Sequence, residues 1–151
     1  MIELQQLSID DIEEIEELYR NIFTKAPWND DWSDQKQLYQ YIMDLIGNLN
    51  SLALGLYVDD ILTGLSLGNI RHWYSGTQYY IDEFCIKTEE QGKGLGTCFL
   101  RYVEEHIKSK GINHIFLQTD TDMPAYHFYQ KNGFAELKSH VSFLKDLNNK
   151  G

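Results

Sequence analysis

The chain has 151 residues, 42% of them hydrophobic and 24% charged, with a formal net charge of −10. These are values for one globular domain with its own core, not for a disordered chain. The acidic balance argues against nucleic acid, which is held through Lys and Arg on phosphates, and suits either a cationic partner or simple solubility.

Ile2 to Leu7 alternates in part and predicts a first strand. Ser8, with Asp11 three residues on, forms a capping box. It heads a helix whose apolar stripe is Ile12, Ile15, Leu18, Tyr19, Ile22 and Phe23. The acids Asp10, Asp11, Glu13, Glu14, Glu16 and Glu17 then occupy the first turns and the wet face, where the helix dipole favours them. Lys25 to Trp32 breaks this helix, and a second begins near Ser33 with the stripe Leu38, Tyr41, Ile42, Leu45 and Ile46. Ser51 to Val58, Ile61 to His72 and Gln78 to Ile86 are strand-like in succession, with turns at Asp59-Asp60 and Gly76. Phe99, Leu100, Val103 and Ile107 mark a third helix ending near Lys110-Gly111. Ile115 to Gln118 predicts a buried strand, Met123 to Asn132 a short helix with Pro124 in its first turn and Gly133 as its stop, and Val141 to Lys145 a last strand. The order β-α-α-β-β-β-α-β-α-β predicts one α/β (α+β) domain over 1–147 around a mixed sheet, with 148–151 a frayed tail.

Between the third strand of that run and the helix after it lies Gln91-Gly92-Lys93-Gly94-Leu95-Gly96-Thr97. A glycine turn opening onto a helix N-terminus presents bare backbone amides at the positive end of a dipole, which is an anion cradle. Lys93 adds charge at its rim. A Walker A loop needs Ser or Thr after Gly-Lys, whereas Gly94 follows Lys93. A dinucleotide fingerprint starting at Gly92 needs glycine at 97, where Thr97 stands. The spacing that fits is Gln/Arg-x-x-Gly-x-Gly/Ala, read as Gln91, Gly94 and Gly96.

In this loop, in the strand Ile81-Asp82-Glu83-Phe84-Cys85-Ile86 before it and in Ala125-Tyr126-His127-Phe128-Tyr129-Gln130-Lys131-Asn132-Gly133-Phe134 after it, the chain resembles the GNAT superfamily of N-acetyltransferases. The strand and loop look most like those of aminoglycoside N-acetyltransferases. The resemblance implies a GNAT-like mixed sheet flanked by helices, with acetyl-CoA as co-substrate. It implies that Phe84, Cys85 and Ile86 lie along the pantetheine arm and that Gln91, Gly92, Lys93, Gly94, Leu95, Gly96 and Thr97 wrap the pyrophosphate. Tyr129 matches the family's general acid for the departing thiolate, and Asp82 the aspartate near the acceptor amine. Many members carry Asn three residues before the helix alanine. Here that position is Asp122, whose carboxylate reads as a helix cap, so the family's cofactor contact is not carried over to it.

An alkyl ammonium holds its proton with a pKa of ~10.4, so removing it at pH 7 costs roughly 4.6 kcal/mol and calls for a base. Asp82 is the first candidate as base or amine anchor and Glu83 the second; strict alternation would point them to opposite faces. Backbone amides near Ile86 are candidate oxyanion donors. Trp28, Trp32, Trp73 and Tyr74, with Asp30, Asp31 and Asp34, either line an acceptor pocket that prefers cations or staple loops to the core. Cys85 and Cys98 have no metal spacing, an acetyl-cysteine intermediate is the minor reading, and the histidines form no ligand pattern, so no metal is expected.

The expected function is transfer of an acetyl group from acetyl-CoA to a primary amine of a small cationic molecule, such as an aminoglycoside, a polyamine, an amino acid or an amino sugar. The alternatives are a protein N-terminal or lysine acetyltransferase and a non-catalytic acyl-CoA-binding module. No apolar run reaches membrane length and the start lacks a signal-peptide signature, so a cytoplasmic location without membrane or nucleic-acid partners is expected. Family habit adds a homodimer, an expectation that no residue carries.

Overall fold

A sheet is stabilised by burying its apolar faces, and this chain supplies helices for both. The computed structural model describes residues 1–148. Contacts divide the chain into two compact units, Met1–Gln118 and Thr119–Gly151.

The first unit is a five-stranded sheet in the order β1-β2-β3-β4-β5. Its strands are β1 (Ile2–Leu7), β2 (Ser51–Val58), β3 (Ile61–Trp73), β4 (Gly76–Ile86) and β5 (His114–Leu117). The first four pair antiparallel and β5 joins β4 in parallel. Asp59 and Asp60, at φ 49° and 67°, make the two-residue turn between β2 and β3, the twist that suits a hairpin. The parallel step needs a crossover, and α3 (Leu95–Ser109) provides it.

One face of the sheet is covered by α1 (Ile12–Phe23) and α2 (Gln35–Ile46). Ile15, Leu18, Ile22, Leu38 and Ile42 pack there on Ala53, Leu62, Leu65, Leu67 and Cys85. The other face takes α3, with Phe99, Val103 and Ile107 on Leu52, Leu54, Leu56, Tyr79 and Ile81. Each such aliphatic side chain contributes about 1.5–3 kcal/mol on burial. The capping box of Ser8 and Asp11 forms as expected, closing a short 3₁₀ turn ahead of α1. Glu16 departs from the expected wet face: it is buried, and its Oε2 accepts from Gln35 Nε2 at 3.0 Å. Among the described residues no helix is long and apolar enough to cross a membrane.

The second unit holds α4 (Pro124–Lys131). Gly133, at φ 90°, ends it. The N–H of Phe134 donates to Tyr129 O (3.0 Å) and that of Gly133 to Gln130 O (3.3 Å), the paired bonds of a Schellman stop. The expected strand from Val141 to Lys145 does not form. Phe143 and Leu144 are 93% and 98% exposed, and the backbone over 141–145 is not a strand; β-propensity alone does not make one. Of the expected tail 148–151, all but Asn148 lies outside the described residues.

Candidate active site

The site is built on a flaw in β4. Ile81 pairs with Gly68 and Glu83 with Leu67, which leaves Asp82 as an extra, unpaired residue. Gly68 permits this close approach, because a Cβ there would meet Tyr80 O at 2.0 Å. Before the bulge Tyr79 and Ile81 face α3; after it Phe84 and Ile86 do. Asp82 and Glu83 therefore share the face of α1 and α2, contrary to the expected alternation. Asn69 Nδ2 reaches Asp82 Oδ2 at 3.5 Å from that same face.

Their surroundings differ. Asp82 is exposed, its carboxyl raised by partial burial against the pull of Arg71 and Asn69. Glu83 is half-buried, and its Oε2 accepts from Tyr41 Oη at 2.6 Å and Tyr19 Oη at 3.2 Å. Burial pushes the Glu83 carboxyl up; the hydroxyls of Tyr41 and Tyr19 pull it back, and Asp82 and Asp30 add to the rise. Both tyrosines are pushed far up, first by burial and then by Glu83, so they stay protonated donors. Trp32 stacks on Tyr41 at 5.5 Å between centroids and meets Tyr19 edge-on at 5.6 Å; Trp28 meets Phe23 at 5.0 Å. Both tryptophans thus staple the loop to the core beside Glu83. Asp34 caps α2 by accepting from Gln37 N at 3.1 Å, and Asp31 accepts from Ser33 N at 3.0 Å, so of the three loop aspartates only Asp30 bears on Glu83.

Ile81 and Leu117 form the last pair of the ladder between β4 and β5. The strand then runs into the glycine loop. Gln91 Nε2 donates to Ile86 O at 2.9 Å and ties the loop to the strand end. Gly92 and Gly94 hold φ of 79° and 81°. Gly94 is the N-cap of α3 with no side-chain cap, which leaves the first-turn N–H groups at Leu95, Gly96 and Thr97 to an outside acceptor. Such a cradle fits a phosphate-bearing group. Lys93 pairs with Glu90 at 2.8 Å on the surface, and Lys25 with Glu89 at 2.9 Å. Phe84 stacks on Phe99 at 5.0 Å toward α3.

Trp73 and Tyr74 sit in the β3–β4 hairpin, seven or more residues along β4 from Glu83, about 20 Å at strand rise. The structure does not bring them together with Trp28 and Trp32. Cys85 is buried and its thiol is pushed far up by burial and then by Glu83, against the acetyl-cysteine reading. Tyr129 packs on Phe134 at 5.2 Å and Phe128 at 5.4 Å. Asp122 is not the cap of α4: the N-cap is Met123, without a side-chain bond. Tyr19 and Tyr41 were legible only as members of helix stripes, and their one signal was a hydroxyl at a core position, which needs a partner.

An antiparallel sheet that turns parallel at β5, with a glycine loop opening onto α3, is the GNAT arrangement. A model of the acetyltransferase (GNAT) family matches residues 12–134, most of the chain, and the chain belongs to that family. In sequence it is similar to an uncharacterized N-acetyltransferase, YobR, of Bacillus subtilis (strain 168), at 29% identity over 91 residues. That match takes in 60% of this chain but 35% of the relative, so the chain spans about a third of that protein's length. In fold it is similar to the aminoglycoside acetyltransferase meta-AAC0020 from an uncultured soil metagenomic sample, in complex with sisomicin. There the TM-score is 0.74 at 18% identity, over 97% of this chain and 96% of that one. It is also similar to AAC(6')-Iy in complex with the bisubstrate analog CoA-S-monomethyl-acetylneamine, with a TM-score of 0.72 at 15% identity over 97% and 99%. At these identities the likeness is one of fold.

Proposed function

We propose that the chain is an acetyl-CoA-dependent N-acetyltransferase, one domain over 1–147, acting on a primary amine of a small cationic molecule by direct transfer in a ternary complex. The observation that carries this reading is β4: one strand bears two carboxylates on one face and leads at its end into the glycine cradle. That two similar folds are aminoglycoside acetyltransferases, one holding sisomicin and one a coenzyme A bisubstrate analog, supports it.

In this reading the α3 N-terminus and the loop from Gln91 to Thr97 hold the pyrophosphate of acetyl-CoA, and the stretch of β4 from Phe84 to Ile86 takes the pantetheine arm. Asp82, exposed, anchors the ammonium. Glu83, raised by burial, accepts its proton with a strength closer to neutral pH than an ordinary carboxylate has. The freed amine attacks the thioester carbon, N–H groups of β4 near Ile86 stabilise the oxyanion, and the nitrogen gives up its second proton to solvent as the carbon–sulfur bond breaks. The resemblance assigns to Tyr129 the proton that the departing thiolate takes up.

Thiol release measured with acetyl-CoA and a panel of aminoglycosides, polyamines, amino acids and amino sugars tests the reading. Release above hydrolysis on at least one amine, and its loss in Tyr129→Phe, is expected. No release above hydrolysis on any small amine, with or without acetylation of peptides, ends it.

A further inference from the structure

Resting on the reading of Glu83 as the base, we infer that Tyr19 and Tyr41 are positioning residues for the transfer: from two helices they clamp one carboxylate oxygen of Glu83 and leave the other to meet the acceptor amine. Both hydroxyls donate to Oε2, at 3.2 and 2.6 Å. Oε1 accepts no hydrogen bond among the described residues. Turning the carboxylate would break both bonds at once, so its orientation is fixed. The tyrosines are themselves held. The Tyr41 ring stacks on Trp32 at 5.5 Å and 20°, and the Tyr19 ring lies between Phe23 at 4.5 Å and Trp32 at 5.6 Å. For packing alone, phenylalanine would serve at both positions. Two hydroxyls converging on one atom have a further use.

The groups facing Glu83 come from every neighbouring element. Tyr19 belongs to α1, Tyr41 to α2, Asp30 to the connection between them, and Asp82 and Cys85 to β4 itself. From β3 the neighbours are the apolar Leu65 and Leu67. Asp30 and Asp82 oppose ionisation of Glu83, and only the tyrosines favour it. Loss of either hydroxyl must therefore raise the proton affinity of Glu83 and carry the acidic limb of catalysis to higher pH.

Tyr41→Phe and Tyr19→Phe keep the rings and remove one donor each. The Glu83 carboxyl is followed by carbon-13 NMR on protein labelled at glutamate, with Glu83→Gln supplying the assignment, and kcat/KM is measured across pH. The Glu83 midpoint is expected to move up in both variants, further in Tyr41→Phe, whose bond is the shorter, with the acidic limb of kcat/KM moving alongside. On that limb the loss for Tyr41→Phe should be roughly tenfold, the size of one hydrogen bond to a charged group. Tyr57→Phe, which loses a 3.1 Å bond to Glu14, should move neither. An unmoved midpoint in both variants overturns the clamp. A midpoint that moves while the kcat/KM profile stays in place overturns its part in the reaction. The titration needs no substrate, so a moved midpoint in a protein inactive on every amine upholds the clamp and removes the acetyltransferase reading instead.

Discussion

Asp82 and Glu83 are neighbours with the same functional group, yet burial and hydrogen bonding give them different surroundings. Burial raises both carboxyls, but Asp82 is exposed and faces the pull of Arg71, whereas Glu83 is half-buried and held by two tyrosine hydroxyls; in the proposed reading the first anchors the ammonium and the second takes its proton. Glu83→Gln should lower kcat by about two to three orders of magnitude, the usual worth of a general base, with little change in KM for acetyl-CoA. Asp82→Asn should act mainly on the acceptor KM; steady-state kinetics on both variants check the division. Glu83 also marks the pH dependence of stability. Its folded carboxyl keeps its proton to higher pH than the unfolded one. Between the two values the unfolded state binds fewer protons, and stability falls as pH rises. The melting temperature of Glu83→Gln, relative to the parent, should therefore climb as pH rises from the ordinary carboxylate range through the Glu83 titration and then level off. A difference independent of pH would mean that burial does not hold this carboxyl up. Both acids were legible in the sequence as candidates. Their common face was not, because one extra residue opposite Gly68 shifts the strand's alternation by a step, and nothing local in Ile81-Asp82-Glu83 announces it.

At the scale of elements, turns carry both function and stability, and glycine separates the two. Gly94 opens α3 and Gly111 closes it, at φ 81° and 79°. A Cβ at either would meet nothing within 4 Å, so the cost of alanine is backbone strain alone. Gly94→Ala and Gly111→Ala should each lose about 1 kcal/mol in urea unfolding. Only Gly94→Ala should also weaken coenzyme A in calorimetric titration, because only that glycine shapes the anion cradle. Equal weakening by both would mean the cradle depends on α3 as a whole and not on its opening turn. The helix stops explain part of the tyrosine motif as well. Tyr129 and Phe134 are the residues that a Schellman turn brings into contact, and Ile107 and Ile112 do the same at the end of α3. The spacing of Tyr129, Gly133 and Phe134 is thus partly a folding signal, legible in the sequence as a helix end. Val141 to Lys145 misled for the complementary reason: its β-formers were visible, but pairing is not a property of the segment.

Across the whole molecule the net charge of −10 would act with opposite sign on the two substrates of the proposed reaction. A cationic acceptor would be drawn toward an acidic surface, while coenzyme A, a polyanion, would be repelled until it reached the amides of the loop. Salt screens both effects, the Debye length shrinking from about 10 Å at 0.1 M to about 3 Å at 1 M. The KM of an aminoglycoside or polyamine should therefore rise several-fold over that range, and the KM of acetyl-CoA should fall or hold. A monocationic amine should show a smaller rise than a polycation of the same reactivity, since attraction scales with charge. Steady-state kinetics at matched pH in a non-chaotropic salt measure both constants in one series. If the two constants rise together, the long-range field of the protein is not sorting its substrates. Acceptor selectivity would then belong to short-range contacts on the face that carries Asp82 and Glu83 and not to net charge.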